Sequence, residues 1–130
     1  MKFTDNELKL SRRLHDALLK RGEPMEIREG DWVIGRDGKP FCISMFHFNI
    51  PFARQSLQEQ RNKYVLLGSW ERCREWLRER GLELDAMYDL DDKAVSVLFR
   101  NMKDNTQIHK VGATDLEAIL SVCVAVAEEE

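Results

Sequence analysis

The sequence predicts an α+β fold, an antiparallel β-sheet with helices packed on it, and three patterns lead there. Thr4 with Glu7, and Thr114 with Glu117, have the spacing of a capping box. In it the hydroxyl and the carboxylate each accept from a free backbone N–H, so each pair opens a helix. Between them "LELDAMY" (82–88) and "AVSVLF" (94–99) alternate with the period of two that a half-buried strand requires. Short turns join these strands, which makes neighbours antiparallel and leaves the bounding helices to pack on the sheet. The 130 residues make one domain: 1–62 supply an N-terminal helix, a β-hairpin and a polar connector, and 63–130 a β-α-β-β-β-α unit.

Taken in order, the first helix covers residues 4–21, with Leu10, Leu14, Ala17 and Leu18 on one face and Gly22 and Pro24 as its stop. The hairpin pairs "GDWVIG" with "PFCISMFHF" across "GRDGKP", whose glycines suit a turn with φ > 0. Pro51 ends its second strand because proline has no N–H for a ladder. From Arg54 to Asn62 the chain is polar and fits either a surface helix or a loop. "KYVLLG" reads as a strand, Ser69 caps a helix that runs to Arg80, and Gly81 stops it. "DLDD" turns residues 82–88 into 94–99, and a weaker strand, "TQIHK", follows "RNMKDN". The last helix opens at Thr114 and reaches almost to the C-terminus.

Composition narrows the function classes. With 43% hydrophobic and 33% charged residues the chain is a globular protein, and a net charge of −3 carries no basic signature of a nucleic-acid binder. The N-terminus turns polar at once, without the apolar segment of a signal peptide, and no apolar run approaches the roughly 20 residues of a membrane span. Cys42, Cys73 and Cys123 are an odd, widely spaced set, which favours a reducing compartment; the expected location is cytoplasmic.

The reactive residue types do not converge in the sequence. Cys42 and His47 are five apart, and an odd spacing in a strand puts them on opposite faces, so they read as ordinary strand members rather than a nucleophile–base pair. At 100° per residue Trp70, Cys73, Trp76 and Leu77 share one side of the second helix, which places Cys73 in the core. Arg80 shares that side near the C-terminus, where its charge suits the free carbonyls and its stem covers apolar surface. Cys123 lies between Ile119, Leu120 and Val126 in the same manner.

No CxxC, HExxH or helical pair of histidines is present; His15, His47 and His109 fall in three elements. "DLDDK" from Asp89 fails as a calcium loop, lacking the mid-loop glycine and carrying Arg100 where a glutamate is required. Asp91, Asp92 and Lys93 do match the D-x-K spacing of magnesium-dependent nucleases, with Asp85 as the available second carboxylate. That defines an alternative function, a small metal-dependent nuclease using the corner from Asp89 to Lys93. Otherwise no catalytic, cofactor-binding or metal-binding residue is assigned.

Residues 63–127 resemble the phage-type ABA-sandwich proteins, small α-β-β-β-α domains of phages and prophages. The matching positions are Trp70, which opens a helix ending in leucine-x-x-x-glycine (Leu77, Gly81), and Gly112, Thr114, Glu117 and Ala118 of the glycine-x-threonine start to an alanine-rich last helix. The resemblance implies that fold and a phage or prophage setting; the family has no established activity, so no functional residue is carried over. The topology also resembles the double-stranded-RNA-binding domain, which grips phosphates with lysines at the start of its last helix. Here Thr114, Asp115 and Glu117 occupy that place, and acids repel what the helix dipole would attract, so no duplex RNA binding is expected.

A partner is suggested by the last helix. Leu116, Ile119, Leu120, Cys123 and Val126 face the sheet, while Ala118, Val122 and Ala125 form a row of small residues on the other side, where a surface helix carries charge. Either the first helix covers this row within the chain or a second subunit or protein partner does, most simply in a two-fold dimer. The expected function is therefore a non-catalytic intracellular accessory or protein-interaction module.

Overall fold

The structure, a computed structural model, describes residues 3–35, 38–43, 65–90 and 93–129. The order is α1 (Asp5–Lys20), β1 (Trp32–Ile34), β2 (Pro40–Cys42), β3 (Val65–Leu67), α2 (Trp70–Glu79), β4 (Leu82–Leu90), β5 (Ala94–Asn101), β6 (Gln107–Gly112) and α3 (Asp115–Glu129). It is an α+β fold, as the patterns predict. The strands form two three-stranded antiparallel sheets, β2-β1-β3 and β4-β5-β6, instead of one.

Each helix starts where its capping residue stands. Thr4 accepts from the Glu7 N–H at 3.1 Å while the Glu7 carboxylate accepts from the Thr4 N–H at 2.8 Å, a complete capping box. Ser69 accepts from the Arg72 N–H at 3.2 Å, and α2 stops before Gly81, whose φ of +81° a side chain would resist. At α3 only the hydroxyl half of the box is in place, from the Glu117 N–H to Thr114 at 3.0 Å; the Glu117 carboxylate accepts instead from the Asn6 amide at 3.4 Å.

The main core lies between the helices and one face of β4-β5-β6. Val97 and Phe99 are fully buried and meet Cys73, Trp76 and Leu77 of α2 and Leu116, Ile119, Leu120 and Cys123 of α3. Gly112 ends β6 where the sheet touches α3: a Cβ there would lie 2.6 Å from the Ala118 nitrogen. The small sheet packs Ile34, Val65 and Leu67 against Phe3 and Leu8, with Phe3 edge-on to Trp32 at 6.1 Å between ring centroids.

Ala118 and Val122 of the row are covered from within the chain, and Ala125 is half-buried. α1 lies on α3 in the same direction, and Leu14, Leu18, Ala118 and Val122 are all buried in one cluster. The ends are tied: Thr114 Oγ1 donates to Glu7 Oε2 at 2.7 Å at the N-terminal end, and Arg21 donates to the Ala127 carbonyl at 3.4 Å at the other, beside the Arg13–Glu128 ion pair at 2.5 Å. α3 has no basic residue in its last turn, so α1 supplies the charge that its dipole lacks. Of the two expected covers, the first helix is the one that lies on Ala118 and Val122.

Candidate functional site

The helices cover one face of the β4-β5-β6 sheet, and the other face is the candidate site. Its construction depends on one irregularity. Leu84 pairs with Phe99, but Ala86, not Asp85, pairs with Leu98. Asp85 is the extra residue of a β-bulge, and one extra residue reverses the parity of everything after it. Tyr88, expected on the face of Leu82 and Leu84, is turned outward with Ala86, and this corrects the sequence reading. Tyr88 is 61% exposed.

The register then gives the outer face row by row. Glu83, Arg100 and Gln107 form its polar end; Ala86, Leu98 and His109 come next, then Tyr88, Ser96 and Val111, and finally Leu90 with Ala94. Tyr88, Leu90 and Val111 are exposed, while Ser96 is buried among its neighbours and its Oγ is hydrogen-bonded to His109 Nε2. At the polar end the bulge carboxylate of Asp85 accepts from Arg100 at 2.9 Å. The result is a face on which exposed Tyr88, Leu90 and Val111 flank the Ser96–His109 contact, with a polar end at Glu83, Arg100 and Gln107, a composition suited to a protein-binding surface.

A serine hydrogen-bonded to an imidazole invites a hydrolase reading, but the arrangement around it is a sheet. The N–H groups of β5 are committed to ladders on both sides, so this strand offers none to a developing oxyanion. The pair is a cross-strand polar contact that satisfies a buried hydroxyl.

The residues weighed in the sequence sit apart. Cys42 is exposed on the edge strand β2, with its thiol directed at the Gly30 carbonyl at 3.6 Å, so it is a surface thiol and not a packed one; His47 lies outside the described residues. Cys73 and Cys123 are buried as expected, and burial, then the neighbouring Cys73 thiol, holds the Cys123 thiol well above the ordinary range. Arg80 lies 3.8 Å over the Trp76 ring and donates to the Trp76 carbonyl at 3.2 Å, the double role its position predicts. Of the acidic corner, Asp91 and Asp92 lie outside the described residues, Lys93 takes a φ of 58° in the turn, and Asp85 is engaged by Arg100. The expectation for residues 54–62 also lies outside the described part. Among the described residues no three His, Cys, Asp or Glu side chains are grouped to hold a metal ion.

An open groove of about 400 Å³ lies between the α1–β1 connection and α2. Its arginines are paired: Arg28 forms a two-pronged pair with Glu75 at 3.2 Å, Arg80 reaches Glu23 at 3.6 Å and Arg72 reaches Asp31 at 3.7 Å. These contacts strap the connection to α2 rather than hold a charge ready for a ligand. The Arg28 contact keeps the Glu75 carboxyl below its ordinary value.

The fold and the outer sheet face define the class, a small α+β protein with one covered and one open sheet face. Compared with protein-family models, curated proteins and solved structures, the chain matches none of them. Among the described residues no helix is long and apolar enough to cross a membrane.

Proposed function

We propose that this chain is a small non-catalytic protein-interaction module, intracellular and of phage or prophage setting, that binds through the open face of β4-β5-β6. One observation carries the reading. Three of the five exposed large hydrophobic residues of the described part, Tyr88, Leu90 and Val111, lie together on this face; Met87 pairs with Val97 on the other face and Met102 is in the turn between β5 and β6. Scattered single apolar residues need no account, but a cluster on one sheet does. The three free cysteines support a reducing compartment. The phage setting is supported by the resemblance of residues 63–127 and by the β3-α2-β4-β5-β6-α3 order.

The test replaces the patch without touching the core. Tyr88→Lys with Val111→Lys alters two exposed side chains, so the melting temperature should stay within a few degrees. Light scattering of the wild type over a concentration series is expected to rise above the 15.2 kDa of one chain, and the double variant to return to it. Association that survives both lysines would remove this face from the proposal, and a wild type that stays monomeric throughout would shift the occupant from a second copy to a different protein.

A further inference from the structure

We propose that Cys73 and Cys123 are a redox pair, a core dithiol that converts to an intramolecular disulfide joining α2 to α3. The two are 50 positions apart in the chain, yet Cys123 Sγ lies 3.9 Å from the Cys73 carbonyl oxygen. The Cys73 sulfur lies beside Gly68, next to the side chain of Leu120 on α3. A Cβ placed on Gly68 would lie 2.9 Å from that sulfur and 3.4 Å from Leu120 Cδ2, and Leu120 is one turn before Cys123 on the same face of α3. The Cys123 sulfur is thus directed at α2, and the missing side chain of Gly68 leaves the room that the Cys73 thiol fills. Both side chains are essentially inaccessible, at 1% and 0% exposure. The raised Cys123 thiol, which feels the Cys73 thiol directly, is consistent with that contact.

This environment gives the pair its character. Burial disfavours the thiolate, so the dithiol resists ambient oxidation while the fold is closed and reacts when the α2–α3 contact opens. The oxidant is a small-molecule disulfide such as oxidised glutathione. One thiolate attacks it, forming a mixed disulfide and releasing one glutathione thiol; the second cysteine thiolate then displaces the other. Two thiols lose two protons and two electrons, one Sγ–Sγ bond forms, and the glutathione disulfide is reduced to two thiols. Cys42, exposed on an edge strand, belongs to a different category and yields only mixed or intermolecular products.

The experiment uses Cys42→Ser protein, equilibrated in glutathione redox buffers under native conditions and, in parallel, in denaturing urea. Intact mass and peptide mapping are expected to show loss of two hydrogens through a Cys73–Cys123 link, favoured at least about tenfold more in the native protein than in urea, and a Tm raised by about 10 °C that reverses on reduction. Cys42→Ser with Cys123→Ala should lose the response. A link no more favoured in the native protein than in urea, products limited to mixed disulfides, or a response that persists without Cys123 would each overturn the pair.

Discussion

The Glu7 side chain is the most consequential polar group of the fold. It is 5% exposed and its two oxygens serve different helices: Oε1 accepts from the Thr4 N–H at 2.8 Å, and Oε2 accepts from the Thr114 hydroxyl at 2.7 Å. The same hydroxyl oxygen accepts from the Glu117 N–H, so a single relay ties the N-terminus of α1 to that of α3. Glu7→Ala removes two charge-assisted bonds, each about 1.5–3 kcal/mol, while relieving the cost of burying a carboxylate. A net loss of about 2–3 kcal/mol follows, or about 10 °C in Tm for a domain of this size. Thr114→Ala loses a helix cap, about 1 kcal/mol, and leaves Glu7 half-satisfied. The decisive assay is a double-mutant cycle by guanidinium unfolding, followed by tryptophan fluorescence. The Glu7–Thr114 coupling should be about 1–2 kcal/mol, and costs that add to within about 0.5 kcal/mol would refute the relay.

Gly112→Ala should cost about 2–3 kcal/mol, because its Cβ would meet backbone on α3 at 2.6 and 2.9 Å and neither atom belongs to a side chain that can swing away; a melting scan checks it. Acid should weaken the fold in part through Glu75 and Glu128, both lowered by arginine partners, Arg28 and Arg13. Their folded values lie below the ordinary 4.5, so this contribution is complete above that pH and is lost as pH falls through the lowered values. Glu75→Gln with Glu128→Gln should flatten the acid limb of Tm against pH, and added salt should do the same. Duplex RNA should not be retained in a gel shift at sub-micromolar protein and moderate salt, since Asp115, Glu117 and the nearby Glu7 make the start of α3 acidic.

Local signals were readable because they act over a few residues. The caps at Thr4 and Ser69, the glycine stop at Gly81 and the apolar side of α2 each depend on neighbours within one or two turns, and each stands where the sequence places it. The alternation of β5 holds to the residue, with Val97 and Phe99 inward. β4 failed at Asp85 because a bulge residue can be any polar residue in an alternating run; nothing in "LELDAMY" marks the place where the count slips. The outer face, and with it the candidate site, was therefore illegible: it exists only once that slip and the β5–β6 register are known. The Glu7–Thr114 bond joins positions 107 apart, and both residues were already accounted for by their local caps. Cys73 and Cys123 were each readable as core, but their mutual approach depends on how α2 and α3 are phased against each other.

The pairing of α1 with α3 has a consequence for how the chain is made. α1 is made before α3 and serves as its lid, so Leu14 and Leu18 lack the cover that α3 gives them until α3 has been synthesised. Such closure joins segments far apart in the chain, a high-contact-order step that comes late and leaves an adhesive intermediate in the meantime. Removing α1, by an internal start or by trimming, would strand a helix of which nine of fifteen residues are buried and turn a discrete particle into a sticky one.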